Sequence, residues 1–182
     1  MECVMREVLH SSRLFDGPAF GIERDRIRDL DGSEIVRDVV RHPGGAGALP
    51  VFPDGRIALV RQYRHPARRE LLEIPAGRIE PGESPEWCAR REVEQEIGFQ
   101  VGRIVPLASF YSTPGFCEEV LSVFLATELT PGQQQLDDDE RLEVVFLPFE
   151  QALRMARQGE IEDSKTLIAL LLAVRHLAPD LG

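Results

Sequence analysis

The stretch Gly77-Arg78-Ile79-Glu80-Pro81-Gly82-Glu83-Ser84-Pro85-Glu86-Trp87-Cys88-Ala89-Arg90-Arg91-Glu92-Val93-Glu94-Gln95-Glu96-Ile97-Gly98-Phe99 reads as a loop that runs into a well-punctuated helix. Ser84 carries the short hydroxyl favoured at an N-cap, and Pro85 suits the first helical position, where a missing N–H is harmless. Glu83 and Glu86 lie near the positive end of the helix dipole. Gly98 provides a natural stop. Inside the helix, Glu92 and Glu96 are spaced i,i+4 and share one face. Like charges at that spacing destabilise an isolated helix. The spacing places no lysine or arginine between them, and the neighbouring Gln95 brings no positive charge. A solvated acidic face is the ordinary reading of such a pair. A bound divalent cation accounts for it better, because hard cations such as Mg²⁺ take carboxylate oxygens together with water and phosphate.

Outward from this segment the chain reads as strands first and helices later. Arg26-Ile27-Arg28 and Ile35 to Val40 flank Asp31-Gly32, a hairpin signal, and the first forty residues read as short strands. His42-Pro43-Gly44-Gly45 is a breaker cluster. Ala46 to Val51, Ile57 to Tyr63 and Leu71 to Pro75 are strand candidates, and Gly77 to Gly82 reads as loop. Beyond the helix, strands are expected at Val101 to Phe110, Val120 to Thr127 and Leu142 to Leu147. A polar loop from Pro131 ends in Asp137-Asp138-Asp139-Glu140. Helices are expected over Phe149–Gln158 and Ser164–Leu177, the latter capped by Asp163 or Ser164, with Leu167, Leu170, Leu171 and Val174 facing the core. This order fits an α/β (α+β) fold, a sandwich with a mixed sheet.

Composition narrows the classes of function. The 182 residues suffice for one ordinary domain with a small appendage, and 43% hydrophobic residues allow a real core. A formal charge of −10 argues against non-specific nucleic-acid binding, so no nucleic-acid partner is expected. It also requires a local reversal of field if the substrate is anionic, which divalent cations would provide. Cys3, Cys88 and Cys117 form no Cys-x-x-Cys pair, so a disulfide scaffold or zinc knuckle is not expected. No secretory pattern opens the chain, and no apolar run approaches membrane length. A cytoplasmic protein with reduced thiols and no membrane partner is the expectation.

The quoted segment resembles the Nudix box, G-x5-E-x7-R-E-U-x-E-E-x-G-U, where U is a bulky aliphatic residue. Gly77, Glu83, Arg91, Glu92, Val93, Glu96 and Gly98 match in register. Gln95 stands where the pattern has the first glutamate of its pair, and Phe99 replaces the usual aliphatic. The resemblance implies a Nudix α/β/α sandwich and metal-dependent pyrophosphohydrolase activity. Glu92 and Glu96 match main metal ligands, Arg91 matches a catalytic position, and Glu83 would add a ligand or orient Arg91. Gln95 leaves the site one charge short.

Leu59 to Arg64 and Leu71 to Gly77 look like the ADP-ribose pyrophosphatase branch of that family. The likeness implies a metal contact from the Ala76 carbonyl, a substrate phosphate contact from Arg64, and a role for Gly77 at the substrate. Ser112-Thr113-Pro114-Gly115-Phe116 carries the branch's proline, pointing to Pro114, Gly115 and Phe116 as a substrate loop, with Glu119 near a terminal ribose. Residues 1–42 resemble the branch's strand-rich dimerising subdomain, and residues 43–182 its hydrolase domain. Arg37 matches a residue that reaches adenosine or phosphate. Phe15 and Phe20 offer stacking surfaces but are read chiefly as buried core aromatics, and Trp87 and His176 as packing or surface residues. In the acidic run, Glu140 matches a metal ligand and Asp138 a catalytic base, with Glu92 as the alternative base. The implied cofactor is Mg²⁺ or Mn²⁺, two or three ions with substrate bound. The implied reaction takes ADP-ribose to AMP and ribose 5-phosphate in a homodimer. Two rivals stand beside it: another nucleoside diphosphate sugar or a dinucleotide as substrate, and a non-catalytic Nudix-fold binding module.

Overall fold

The computed structural model describes residues 6–136 and 140–177. Its elements run β1 (Glu7–Asp16), β2 (Gly21–Arg28), β3 (Glu34–Arg41), β4 (Gly45–Pro50), β5 (Arg56–Arg64), β6 (Arg69–Glu73), β7 (Ala76–Arg78), α1 (Pro85–Ile97), β8 (Phe99–Tyr111), β9 (Val120–Pro131), β10 (Leu142–Pro148), α2 (Phe149–Gln158) and α3 (Ser164–Leu177). The first forty residues hold three long strands rather than several short ones. The expected loop at Gly77 begins as a strand, because Ala76, Gly77 and Arg78 pair antiparallel with Gly47, Ala46 and Gly45. The chain divides into two compact units: one is the chain up to Gly44 with Tyr111–Val120, the other is Gly45–Phe110 and the chain from Leu121 onward.

The smaller unit is an antiparallel meander in the order β1-β2-β3. Its β2–β3 turn is built by Asp31, whose carboxylate accepts from the Ser33 amide at 2.9 Å, and by Gly32 at φ +84°. Arg41 ties the unit together by donating to Glu23 (2.7 Å), Asp25 (2.8 Å) and Glu118 (2.8 Å). Segment 111–120 lies along β3, with the Val40 amide donating to the Phe116 carbonyl and the Glu118 amide to the Val40 carbonyl. Phe15 and Phe20 pack on each other at 5.9 Å between ring centroids, but stand 48% and 42% exposed, against the expectation of buried core aromatics. A three-stranded layer has no second layer of its own to cover them.

In the larger unit, the period-two alternation of strand side chains feeds two cores. The sheets run β10-β5-β6 and β7-β4-β9-β8, with β4 parallel to β9. Ala46, Ala48, Ala58, Val60, Phe124 and Ala126 meet Cys88, Ala89, Val93 and Ile97 of α1. Their alternates Leu49, Ile57, Leu59, Val123 and Leu125 meet α2 and α3 through Phe149, Leu153, Leu170 and Val174. The alternation therefore makes a three-layer α/β/α sandwich with a mixed sheet. Phe99 packs edge-on against Phe52 at 5.1 Å, which explains an aromatic at a position where the box has an aliphatic. On α3 the buried set is Thr166, Ala169, Leu170, Ala173 and Val174, while Leu171 is 50% exposed and so faces away from the core.

The first turn of α3 is tied to the segment after β6. The Asp163 carboxylate accepts from the Thr166 amide (2.9 Å) and hydroxyl (2.5 Å), so Asp163 is the cap. The Thr166 hydroxyl in turn accepts from the Ile74 amide at 2.8 Å, fully out of water. An amide left unpaired there forfeits its hydration. Thr166→Val, nearly isosteric, is expected to lower stability by about 1–3 kcal/mol through the orphaned Ile74 N–H. The check is a lower urea midpoint at unchanged m-value, with Thr166→Ser close to the parent.

Candidate active site

Helix α1 forms where the sequence predicts it. Ser84 holds extended backbone and its hydroxyl accepts from the Trp87 amide at 3.3 Å; Gly98 closes the helix in the left-handed region at φ 75°. Its buried face consists of Cys88, Ala89, Glu92, Val93, Glu96 and Ile97. The two glutamates thus occupy core positions, 7% and 2% exposed, and the solvated-face reading of the pair does not apply.

The carboxylates are seated on the backbone of β7. A Cβ added to Gly77 would lie 1.9 Å from Glu92 Oε1, so no side chain fits at that position while Glu92 keeps its place. The Ala76 amide donates to Glu96 Oε2 at 3.3 Å. Burial is the largest cause raising both carboxyls above their ordinary range. For Glu96, reinforced by the charges of Glu92 and Glu140, the pKa is pushed up to about 9. Glu140, expected as a ligand, therefore sits within electrostatic reach of both.

Arg91 corrects one expectation. The pair was read as lacking a cationic partner, yet Arg91 Nη1 donates to Glu92 Oε1 at 2.6 Å and to Gln95 Oε1 at 2.9 Å. The partner comes from the adjacent residue, a distance at which helix periodicity predicts no contact; a long guanidinium reaches round the helix. Arg91 also forks onto Glu83 through Nε (2.9 Å) and Nη2 (3.0 Å). Glu83 is thereby engaged in orienting Arg91, one of the two roles expected of it. Gln95 accepts a hydrogen bond as a carboxylate would, without adding charge.

Desolvated like charges beside backbone amides and carbonyls make a hard-oxygen donor set of the kind divalent cations neutralise. Glu92, Glu96, Glu140 and the Ala76 carbonyl fit that requirement. Among the described residues no three His, Cys, Asp or Glu side chains converge closely enough to hold an ion by themselves. Backbone, water and substrate oxygens would have to complete the shell, as Mg²⁺ commonly requires. Asp138 lies outside the described residues.

Arg64 is not a loose surface strand residue. It forks onto Glu73 through Nε (2.6 Å) and Nη2 (2.8 Å), and Lys165 also pairs with Glu73. Burial works against the Glu73 charge, but the Arg64 fork and Lys165 together hold its carboxyl below the usual range. Sequence reasoning passed over Glu73, Lys165 and Thr166. The available signal was an acid inside the apolar run Leu71-Leu72-Glu73-Ile74.

Within the smaller unit, Arg37, Pro114, Gly115 and Phe116, far apart in sequence, line one groove of about 600 Å³ with Tyr111. Tyr111 and Phe116 are each 59% exposed. Glu119 lies 3.3 Å from His42 Nδ1. Trp87 and His176 are both exposed.

The NUDIX domain pattern matches residues 41–170. The chain is 35% identical over 172 residues to an ADP-ribose pyrophosphatase of Bacillus subtilis (strain 168), covering 93% of each. It is 39% identical over 155 residues to a GDP-mannose pyrophosphatase of Yersinia pestis (strain Pestoides F), covering 79% of this chain and 77% of that one. Its fold superposes on a crystal structure of an ADP compounds hydrolase with a TM-score of 0.81, across 97% of this chain and 96% of that one at 22% identity.

The raised Glu96 pKa has a sign that can be tested without metal. A carboxyl whose folded pKa is about 9 against an ordinary 4.5 stays protonated in the fold and ionises on unfolding. Its contribution to stability is fully present below about 4.5 and is lost as pH rises toward about 9. In chelator, thermal unfolding is expected to fall in midpoint across that window. Glu96→Gln is expected to flatten the slope and to raise the midpoint at its alkaline end.

Proposed function

This chain belongs to the NUDIX domain family, and from that premise we propose that it cleaves ADP-ribose to AMP and ribose 5-phosphate. It is a pyrophosphohydrolase acting on a nucleoside diphosphate linked to a second moiety. The observation that carries the reading is the buried Glu92–Glu96 pair seated on Gly77 and Ala76, where a structural role for two desolvated carboxylates is hard to justify. The Bacillus relative, similar over nearly the whole of both chains, supports ADP-ribose.

A divalent cation, Mg²⁺ or Mn²⁺, held by Glu92, Glu96, Glu140 and the Ala76 carbonyl, would neutralise phosphate oxygens and acidify water. Arg91 fixes the Glu92 carboxylate in place, and Glu83 and Gln95 fix Arg91. Arg64 serves the substrate's phosphates: Glu73 grips two of its nitrogens, and Nη1 makes no hydrogen bond among the described residues. Asp138 is the favoured base, taking the proton of the attacking water, with Glu92 the alternative. Arg37 and Pro114 to Phe116 contact the nucleoside diphosphate, a role supported by their sharing one groove, and Glu119 contacts the terminal ribose. A GDP-sugar substrate is the second reading, favoured by the 39% identity to the Yersinia enzyme. The non-catalytic reading loses ground because Gln95 keeps the hydrogen bond to Arg91.

Residues 1–42 form the dimerising subdomain in this proposal. Of the 26 residues in β1 (10), β2 (8) and β3 (8), only Gly21 and Asp25 are buried. Val8, Leu14, Phe15, Phe20 and Val36 stand 42–57% exposed. A sheet so uncovered needs a second surface, and a second copy supplies one. We place the protein in the cytoplasm; no helix among the described residues is long and apolar enough to cross a membrane.

A substrate panel with Mg²⁺ or Mn²⁺ is expected to show AMP released fastest from ADP-ribose. Glu92→Gln and Glu96→Gln should abolish turnover, and Asp138→Asn should lower kcat by ~10²–10⁴. Turnover of GDP-mannose alone would sink the ADP-ribose assignment, and a loss below tenfold for Asp138→Asn the choice of base. In sedimentation equilibrium the chain is expected at twice its 20.4 kDa mass, and Phe15→Asp with Leu14→Asp is expected to give monomer.

A further inference from the structure

A cleft of about 700 Å³ runs along the outer side of α1, wholly inside the larger unit. Trp87, Glu94, Gln100, Val101, Gln133 and Gln135 line it, together with Arg90 and with Glu83, Arg91 and Gln95 of the cluster that holds Glu92. It lies on a different face of the helix from the Glu92–Glu96 pair, which is buried toward the sheet. Nothing in the proposed reaction uses Trp87. It is the chain's single tryptophan, and 68% of its surface is exposed. An indole so placed is a flat apolar platform on an otherwise polar surface.

The charges around it select the ligand. Arg90 is bound to Glu86 (3.1 and 3.2 Å) and to the Val101 carbonyl (2.6 Å), and Arg91 to Glu83 and Glu92. Each arginine is thus matched by a carboxylate, and Glu94 adds a further negative charge to the wall. A phosphate would find no uncompensated cation there. A neutral flat group would find the indole and a set of amides. Each glutamine amide offers a donor and an acceptor side by side, the pattern that matches the edge of a nucleobase.

Those amides are presented from a pinned segment. The Gly132 amide donates to the Gly98 carbonyl at 2.8 Å and the Gln135 amide to the Gln95 carbonyl at 2.9 Å; Gln134 Nε2 donates to the Glu96 carbonyl at 2.6 Å. The side-chain amides of Gln133 and Gln135 themselves make no hydrogen bond among the described residues, whereas that of Gln100 donates to Glu94. A backbone already ordered reduces the entropy lost when a ligand is bound.

We propose that this cleft is a nucleoside-binding site, in which Trp87 stacks on the base and Gln133 and Gln135 hydrogen-bond its edge. It adjoins the proposed catalytic site through Glu83, Arg91 and Gln95, excludes the Glu92 and Glu96 carboxylates themselves, and holds the neutral part of a nucleoside, without a phosphate subsite. The single tryptophan reports on it directly. Guanosine, adenosine, uridine and ribose 5-phosphate are titrated into the full chain in chelator while Trp87 emission is followed, with a free indole derivative as the control for light absorption. Saturable quenching by at least one nucleoside and none by ribose 5-phosphate is expected. Gln133→Ala with Gln135→Ala is expected to weaken the nucleoside about tenfold, with circular dichroism and thermal midpoint unchanged. Equilibrium dialysis with labelled nucleoside is expected to show a loss of similar size, about tenfold, for Trp87→Ala. Quenching that stays linear to the solubility limit, equal saturation by ribose 5-phosphate, or affinity indifferent to these substitutions would overturn the proposal. Because binding is read without metal or turnover, these outcomes are independent of whether ADP-ribose is cleaved.

Discussion

Two carboxylates buried side by side on the core face of a helix are the constraint around which the larger unit is arranged. Burying a charge is costly unless something matches it. Here the matching groups are drawn from several directions: the Ala76 amide on Glu96, the Arg91 guanidinium on Glu92, and the bare Gly77 backbone that leaves room for the Glu92 carboxylate. The alanines at 46, 48, 58 and 126 keep the strands beneath α1 slender, so the helix lies close enough for its glutamates to reach β7. The remaining mismatch, a carboxyl pushed up to about 9, is the part a divalent cation would relieve.

The backbone that receives the carboxylates is itself held at each step. Glu73 is gripped by Arg64 and Lys165, the Ile74 amide by Thr166, the Pro75 carbonyl by the Ala48 amide, and the Ala76 amide by Glu96. Two of these partners, Lys165 and Thr166, come from the first turn of α3, capped by Asp163. The C-terminal helix therefore does more than fill a core. It fixes the strand end whose carbonyl is proposed to contact the metal, which is the support that a precise oxygen site needs.

Much of this was legible along the chain. Helix α1 begins and ends where Ser84 and Gly98 predict, and α3 begins at the cap expected from Asp163 or Ser164, because caps are local chemistry read within a few residues. The strands of the larger unit were found from apolar runs, and the glutamate pair that proves to be buried was singled out by its fixed i,i+4 spacing. The misses have a common cause. β7 was hidden because three residues with two of them small carry no periodicity of their own; pairing with β4 makes them a strand. Leu171 was assigned to the core because a leucine cluster does not say which stripe of a helix packs. Phe15 and Phe20 were assigned inward because aromatic residues usually are, whereas a one-layer sheet has no inside.

The sequence by itself determined the reaction class through its resemblance to the Nudix box, a pattern of Gly77, Glu83, Arg91, Glu92, Glu96 and Gly98 written at fixed intervals along the chain. The order of strands and helices gave a sandwich with a mixed sheet, and the same resemblance implied its three layers. Only the tertiary structure decided what surrounds those glutamates. Arg91 turned out to hold Glu92, Glu83 and Gln95 to hold Arg91, and Arg64 to be gripped by a buried Glu73 that Lys165 reaches from 92 residues away. It also brought Arg37 together with Pro114, Gly115 and Phe116. Side-chain partners of charged groups are chosen by desolvation and by reach in three dimensions, and neither has a period that a linear sequence can display.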